Sequence, residues 1–461
     1  MKCMDAVKRM ENIIVIGGGV SGLMTARELS RHGYRVTILE ATDRLGGRIH
    51  TIRNSLFTQP VEKGVEFIHG NLPLTLQLLK ESGIKYNAVR GNMLRVVNGD
   101  WKTQDDFTVG WDELIKKMNS VRQDMTVDEF LEKNFNDDRY SDLRTSVVRF
   151  ANGFDLADTS RASVLALREE WMGEEDEQYR IPGGFDQLIN FLEKECVRSG
   201  CIIYPTSPVT EIRWKKNNLE VITSEKKAYN ATKVVVTASL GSLQSKRPII
   251  FQPGIDNYFL AAKKIGYGTV IKVMLEFKEA FWEKKRKGIG FLLTNEIIPT
   301  WWTQSPSSYP LLTGWVGGPQ AWPLENKDDN AILDLALGSL SNIFQKSVDE
   351  LQQILTASAV VNWKIDPYSN GAYSYETVGS IEAKTLLNTP IEETIFFAGE
   401  ACYEGPSFGT VEAALVSAKN VVEKIVSGVM SKQCEVLATR NGNQQPKNHI
   451  NCLLYSWMEF S

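Results

Sequence analysis

The residues with the clearest chemical purpose are glycines. Gly17-Gly18-Gly19-Val20-Ser21-Gly22 satisfies G-x-G-x-x-G through Gly17, Gly19 and Gly22, directly behind the apolar run Ile13-Ile-Val-Ile16. A chain that leaves a buried strand through such a turn and enters a helix offers bare backbone N–H groups and a positive helix end to a pyrophosphate. The first glycine makes the turn, the second lets phosphate reach the backbone, and the third lets helix and strand pack closely. Glu40, at the end of the next strand (Arg35-Val-Thr-Ile-Leu39), sets a carboxylate where ribose hydroxyls donate and a 2′-phosphate is repelled. This pattern recognises the ADP half common to FAD and NAD and does not separate them. Beyond it, Ala41-Thr-Asp-Arg44-Leu-Gly46-Gly47-Arg48 forms a second glycine turn flanked by two arginines, fork donors for a pyrophosphate, and that extra clamp favours FAD. No other segment repeats strand, fingerprint and helix: Gly314-Trp-Val-Gly-Gly318 runs into Pro319 and Pro323, which interrupt a helix. One dinucleotide is therefore expected. If it is a flavin, electrons must enter from the substrate and leave to oxygen or another external acceptor.

The elements that carry these turns can be read from apolar spacing. Ser21 to His32 predicts a helix with Leu23, Ala26 and Leu29 on one face and Gly33 as its stop. Helices are also expected over Met125 to Phe150 and Phe185 to Ser199, the second after the loop Pro182-Gly183-Gly184. The segments 202–204, 209–214, 219–222 and 233–237 read as strands able to rejoin the first sheet, which makes the first domain discontinuous. From Thr269 to Phe281 the alternation puts Ile271, Val273, Leu275 and Phe277 on one face, and Val270, Lys272, Met274 and Glu276 on the other. Two helices, 331–344 and 348–355, precede a final strand, loop and helix over 394–398, 399–409 and 410–427. After Gly428 the pattern dissolves into a polar tail.

Composition excludes several classes. With 52 Lys plus Arg against 56 Asp plus Glu among 461 residues, the net charge of −4 offers no general cationic surface for nucleic acid or anionic lipid. Six cysteines are too few and too irregular for a disulfide framework, and Cys196 and Cys201 have no zinc-ligand spacing, so no metal site is expected and a reducing compartment fits. The first dozen residues carry mixed charges and no apolar stretch, and the apolar run at 450–457 falls short of the roughly 20 residues a bilayer needs. A cytoplasmic protein without a membrane anchor is the expectation.

The two segments GGGVSGLMTARELSRHGYRVTILEATDRLGGRIHT (17–51) and FFAGEACYEGPSFGTVEAALVSA (396–418) together resemble the flavin-containing amine oxidases, a family of monoamine, polyamine and amino-acid oxidases and lysine-specific histone demethylases. The resemblance runs from about residue 12 to about 427. It implies a Rossmann-like FAD domain built from separated segments (1–85, 196–250 and 375–430), an α+β substrate domain with a mixed sheet (86–195 and 251–374), and a tail from 431 to 461. It also implies that Gly17, Gly19, Gly22, Glu40, Arg44, Gly47 and Arg48 hold the ADP and pyrophosphate, that Gly64-Val65-Glu66-Phe67 lines the flavin ring, and that Val209 meets the adenine. Gly399, Glu400, Thr410 and Val411 match residues at the ribityl chain and the pyrimidine end of the flavin, where the helix dipole of 410–427 would stabilise negative charge.

Three residues match the reaction centre of that family. Lys272 corresponds to the lysine that reaches flavin N5 through a water, although by itself it reads equally as a lysine on a solvated strand face. His69 matches the histidine of spermine and acetylpolyamine oxidases, or else is a buried histidine bonded to backbone. Tyr373 matches one wall of an aromatic sandwich around the amine. Ala372 stands where monoamine oxidases carry a flavin-linked cysteine, so the FAD is expected to be noncovalent. Glu412-Ala413 replaces the commoner His-Gly or Glu-Gly. The acidic run Glu169-Glu170 and Glu174 to Glu177 would attract a polycation or form a solvated loop, and the roles of Trp301, Trp302 and Trp315 stay open.

The resemblance thus implies an enzyme that oxidises a polyamine or related amine and passes electrons to O2, with peroxide as product and no oligomeric state specified. An L-amino-acid oxidase or desaturase-like flavoprotein is the alternative enzyme, although the carboxylate-gripping arginine of amino-acid oxidases is missing from its usual motif. A noncatalytic FAD-binding protein is the alternative of another class.

Overall fold

A computed structural model describes residues 11–440 apart from 54, 98, 104–107, 174–176 and 247. Its first sheet is parallel throughout and ordered Ile202–Tyr204, Arg35–Leu39, Asn12–Ile16, Lys233–Val236, Ile395–Phe397. The central strand is apolar on both faces because both are covered. Ile13 and Val15 pack beneath the helices Val20–Arg31, Asp186–Arg198 and Val411–Arg440 through Leu23, Leu29, Leu188, Leu192 and Leu415. Ile14 and Ile16 face Val234, Val236, Leu240 and Leu387 on the other side. The strands of this sheet come from three distant parts of the chain, the arrangement of a discontinuous Rossmann-like layer.

A second, seven-stranded sheet is mixed: Leu355–Asn362, Val270–Phe277, Leu311–Gly317, Thr300–Trp302, Ile289–Thr294, Asn92–Val97 and Asp100–Thr103, in that order. All neighbours are antiparallel except Ile289–Thr294 with Asn92–Val97. The helix Asp329–Phe344 covers one face through Ile332, Leu337 and Leu340. A helical cluster built on Val127–Phe135, Ser141–Gly153 and Val164–Gly173 packs around Phe130, Phe135 and Trp171.

Several expectations change. The segments 209–214 and 219–222 do not rejoin the parallel sheet; they form their own four-stranded sheet with Ala228–Ala231 and Ile250–Gln252. Met125 to Phe150 is not one helix. Thr126 and Glu129 make a capping box that starts Val127–Phe135, and the polar run Asn136-Asp137-Asp138 then breaks the chain into a single turn capped by Asp137 before Ser141–Gly153 begins. The last helix passes Gly428 and runs to Arg440, because one glycine costs a helix only about 1 kcal/mol; the rest of the expected tail, 441–461, lies outside the described residues. Among the described residues no helix is long and apolar enough to cross a membrane.

Candidate active site

A cavity of about 1360 Å³ runs from the glycine turn after the first strand to the aromatic face of the mixed sheet. It is larger than the roughly 300–1,000 Å³ of an ordinary small-molecule site. Every residue expected at the cofactor or the reaction centre lines it except Gly22, which does a packing job: a Cβ there would lie 2.0 Å from the Gly17 carbonyl oxygen. Gly64 is held as tightly, since its Cβ would meet the Arg48 carbonyl oxygen at 1.7 Å.

At the dinucleotide end, Glu40 is buried and already structured by the turn. Its Oε2 accepts the Gly18 N–H at 2.6 Å and its Oε1 accepts the N–H and hydroxyl of Thr42, both at 2.8 Å. Ser21, at the start of the first helix, has a buried hydroxyl without a hydrogen-bond partner, the donor a phosphate oxygen would satisfy. These features fit an ADP moiety. Gly399, matched to the flavin end, leaves open space where a side chain would stand. Arg44 donates to the carbonyls of Gly47 and Ile49 at 2.8 and 3.3 Å and so braces the second glycine turn. Arg48 reaches across the fold to Glu400 at 2.8 Å and to the Ala372 carbonyl at 2.6 Å, while the other oxygen of Glu400 takes the Ser374 hydroxyl at 2.5 Å. Thr410 caps the last helix by accepting the Ala413 N–H at 3.1 Å, which aims the helix N-terminus, with Val411, into the cavity. Val209 lines the same end beside Pro208 and Thr210.

At the other end lies Lys272. The alternation of its strand suggested a mixed, part-solvated face, but the strand sits between two others and all eight of its residues are buried. Lys272 is 1 % exposed. Its Nζ donates to Glu66 Oε2 at 2.8 Å and to the Gly64 carbonyl at 3.2 Å, and stands 5.5 Å from the Trp302 ring centroid. Glu66 Oε1 takes Trp302 Nε1 at 2.9 Å, Gln304 Nε2 at 3.2 Å and the Arg180 guanidinium at 3.2 Å. Burial by itself would raise the Glu66 carboxyl, but Lys272, Arg180 and the hydrogen bonds outweigh it and bring it down to about 2. The side chain of Glu66 is thus committed to Lys272.

Tyr373 donates its hydroxyl to the Phe154 carbonyl at 2.5 Å, and burial, with the charges of Asp155, Glu170 and Glu400, holds its phenol well above the usual value. His69 packs against Phe154 and Phe67 with ring centroids 5.2 and 6.0 Å away, and burial brings it down to about 4, so its ring is neutral near pH 7. Its Nδ1 is buried and has no hydrogen-bond partner, so no backbone group holds that atom. The three tryptophans separate: Trp302 and Trp315 line the cavity, and Trp301 is fully buried with Ile298 accepting from its Nε1.

The profile of the flavin containing amine oxidoreductases matches residues 20–426. The chain belongs to this family. Membership makes it a flavin amine oxidoreductase and implies a flavin cofactor. Among curated relatives, it is 28% identical to lysine-specific histone demethylase 1 homolog 3 of Arabidopsis thaliana over 90% of this chain and 30% of that protein. It is 26% identical to polyamine oxidase 2 of the same plant, over 91% of this chain and 90% of the oxidase. The chain thus spans nearly the whole of one relative and under a third of the other. The fold is that of putrescine oxidase bound to putrescine (TM-score 0.76, 16% identity) and of cyclohexylamine oxidase from Brevibacterium oxydans IH-35A (TM-score 0.75, 19% identity), each structure matched over 90% of this chain and 99% of its own.

Within this amine oxidoreductase, Asp155, Arg95 and Arg149 on the cavity wall escaped the sequence reading, whereas Glu170 had been singled out. Asp155 and Glu170 line the cavity, Asp155 at 2 % exposure with Trp171 Nε1 donating to it at 3.1 Å. Glu170 belongs to the acidic run; Glu174, Glu175 and Asp176 fall outside the described residues. Asp155 had no signal, since only packing of the helices puts it on the wall. Arg95 and Arg149 line the cavity too. Among the described residues no cluster of metal-ligating side chains occurs.

Proposed function

We propose that this protein is an FAD-dependent amine oxidase whose substrate is a polyamine or a related primary or secondary amine. The observation that carries the substrate class is the pair of carboxylates, Asp155 and Glu170, on the wall of the cavity that also holds Tyr373 and Lys272. A diamine or polyamine bound with one nitrogen at the reaction centre keeps its other nitrogens charged, and carboxylates in a partly desolvated cavity are the groups that hold them. A flavin held there would supply the hydride acceptor for the carbon next to the amine and the route of electrons to oxygen, with peroxide and the hydrolysed imine as products.

The residues of the chain bind and orient. Glu40 would accept from the ribose, Gly19, Ser21 and the first helix would face the pyrophosphate, and Gly399, Thr410 and the last helix would meet the flavin end. Tyr373, Trp302, Trp315 and Phe67 supply the apolar walls that keep bulk water from the reacting carbon. Ala372 at the expected linkage position supports noncovalent binding, as does the cavity lining, which includes no cysteine among the described residues.

The test is to mix the oxidised holoenzyme anaerobically with spermine, spermidine, putrescine, a phenylalkylamine and L-amino acids in turn. Bleaching of the flavin band by a di- or polyamine, with peroxide formed on admitting air, is the expected result. The L-amino acids represent a second reading that one observation favours: Arg95 and Arg149 on the same wall offer guanidinium groups to a carboxylate. Bleaching by amino acids alone would exchange the two readings, and a flavin that no amine reduces would defeat both.

A further inference from the structure

Four elements converge on one carboxylate. Glu66 comes from the loop after the short strand Val61–Glu62, Lys272 from the centre of the mixed sheet, Arg180 from the end of Gln178–Arg180, and Trp302 from Thr300–Trp302. Glu66 is 8 % exposed and spends one oxygen on Lys272 and the other on Arg180, Trp302 and Gln304. Arg180 is fixed in turn by the carbonyls of Thr303 and Ser305, at 2.9 and 3.2 Å, and by the Phe67 ring, 4.5 Å from its guanidinium carbon. Glu62, which burial pushes up to about 7, also bears on the cluster through the charges of Lys272 and Glu66. Two buried cations therefore share one full negative charge. Lys272 has that carboxylate on one side, the Gly64 carbonyl on another and the Trp302 ring 5.5 Å away on a third.

We propose that Glu66 is a positioning residue of amine oxidation: its carboxylate fixes Lys272 as a charged ammonium at the cavity wall, so that Lys272 acts as a standing positive charge and never as a base. Two consequences follow for the chemistry. The proton that a substrate ammonium must lose before its C–H bond can break does not pass to Lys272 and leaves to water. The same charge disfavours the ammonium form of an amine nitrogen bound beside it, while the carboxylates Asp155 and Glu170 retain the charges farther along the substrate. The mechanistic meaning rests on the amine oxidase reading, but the charge state of Lys272 can be tested without any substrate.

The experiment titrates the visible spectrum of purified, substrate-free holoenzyme between about pH 6 and 10, and in parallel its flavin midpoint potential. Glu66→Gln removes the counter-charge and leaves Lys272 beside Arg180. The expected result is a new inflection in both readouts, below the ordinary lysine value of about 10.4, absent from the parent protein and from Glu66→Gln/Lys272→Met. Glu66→Asp, which keeps the charge, should titrate like the parent. A Glu66→Gln protein that holds FAD and titrates like the parent would overturn the proposal, as would an inflection that persists in the double variant. Should Glu66→Gln not fold, Arg180→Gln decides: with the Lys272–Glu66 pair intact no new inflection should appear, and one that does refutes the assignment. Loss of activity toward every amine, with the inflection present, would defeat the oxidase reading and spare this one.

Discussion

Glu412, in the first turn of the last helix, closes the N-terminus of the helix that contains Thr75: its Oε2 accepts both the backbone N–H and the hydroxyl of Thr75 at 2.7 Å, and its Oε1 accepts the Leu74 N–H at 2.9 Å. The helix Pro73–Ser82 has Leu72 at its N-cap and no local side chain to satisfy these donors. A carboxylate contributed from the far end of the chain does so, with the favourable sign for a helix start. This gives a physical role to Glu412, whose place in the motif had no evident purpose. Glu412→Ala should leave two buried N–H groups unpaired and destabilise the holoenzyme by about 2–4 kcal/mol, from roughly 1–2 kcal/mol for a lost cap plus the burial of unpaired donors. Urea titration at saturating FAD measures it, and Glu412→Gln should lose less because the amide oxygen still accepts.

Lys272→Met keeps the length and apolar packing of the side chain and removes only its charge. Glu66 retains Arg180, Trp302 and Gln304, so the carboxylate remains paired and the fold should hold FAD. Stopped-flow mixing with the best amine should show flavin reduction or its reoxidation by oxygen slowed by about 10²-fold, the scale of losing one fixed charge aimed at the reacting centre, with the flavin still bound. Rates within a factor of two of the parent on both half-reactions would remove Lys272 from the chemistry.

The difference between what sequence and structure say about Lys272 shows where sequence reasoning stops. The opening strand, helix and strand were legible because their signals are local: four apolar residues, glycines at fixed spacing, and an acid after the next strand. Strand 233–236 was assignable to the same sheet for a similar reason, being apolar and covered on both faces, whereas 202–204 joins it as a half-exposed edge strand whose place the sequence did not separate from that of 209–214 and 219–222. Lys272 on an alternating strand reads as a residue on a wetted face, and only the neighbours Leu311–Gly317 and Leu355–Asn362 make that strand central and its lysine buried. Glu66 was legible as part of a cavity-lining segment, whereas its pairing with Lys272 and Arg180 joins residues far apart in the chain and has no periodic signal. Asp155 was invisible for the same reason.

His69 gives a prediction in the stability of the protein. Burial lowers its folded-state value from 6.5 to about 4, so between these limits the unfolded chain binds more protons than the native one. Its contribution is fully present above about pH 6.5 and is lost as the pH falls toward 4. His69→Phe keeps an aromatic ring against Phe67 and Phe154 and removes that titration. The melting temperature of His69→Phe relative to the parent should therefore rise as the pH drops from 6.5 to 4, with FAD saturating throughout. Glu62 works in the opposite sense, its stabilisation being lost as the pH rises from about 4.5 to 7, but it is present in both proteins and cancels in the comparison. Parallel melting curves over that range would show that His69 is not held neutral.

Asp155 separates the substrate classes most directly. Its carboxylate accepts from Trp171 Nε1 and lies close enough to Tyr373 for its charge to bear on that phenol. Asp155→Asn keeps an acceptor for Trp171 and removes the charge, so the helical wall should stay in place. For a substrate with a second ammonium, the loss of one partly buried charge partner should raise KM about tenfold to a hundredfold, the 1.5–3 kcal/mol typical of a charged hydrogen bond. For a phenylalkylamine, which carries no second charge, KM should hardly change. Flavin reduction at saturating substrate should be similar for both, because Asp155 acts on a nitrogen that does not react. If the diamine and the monoamine lose affinity equally, the acid is a wall residue and recognition of the distal charge lies elsewhere. If only the diamine weakens, Asp155 lies at the far end of the substrate, and the distance between it and Tyr373 sets the spacing of nitrogens that the enzyme prefers.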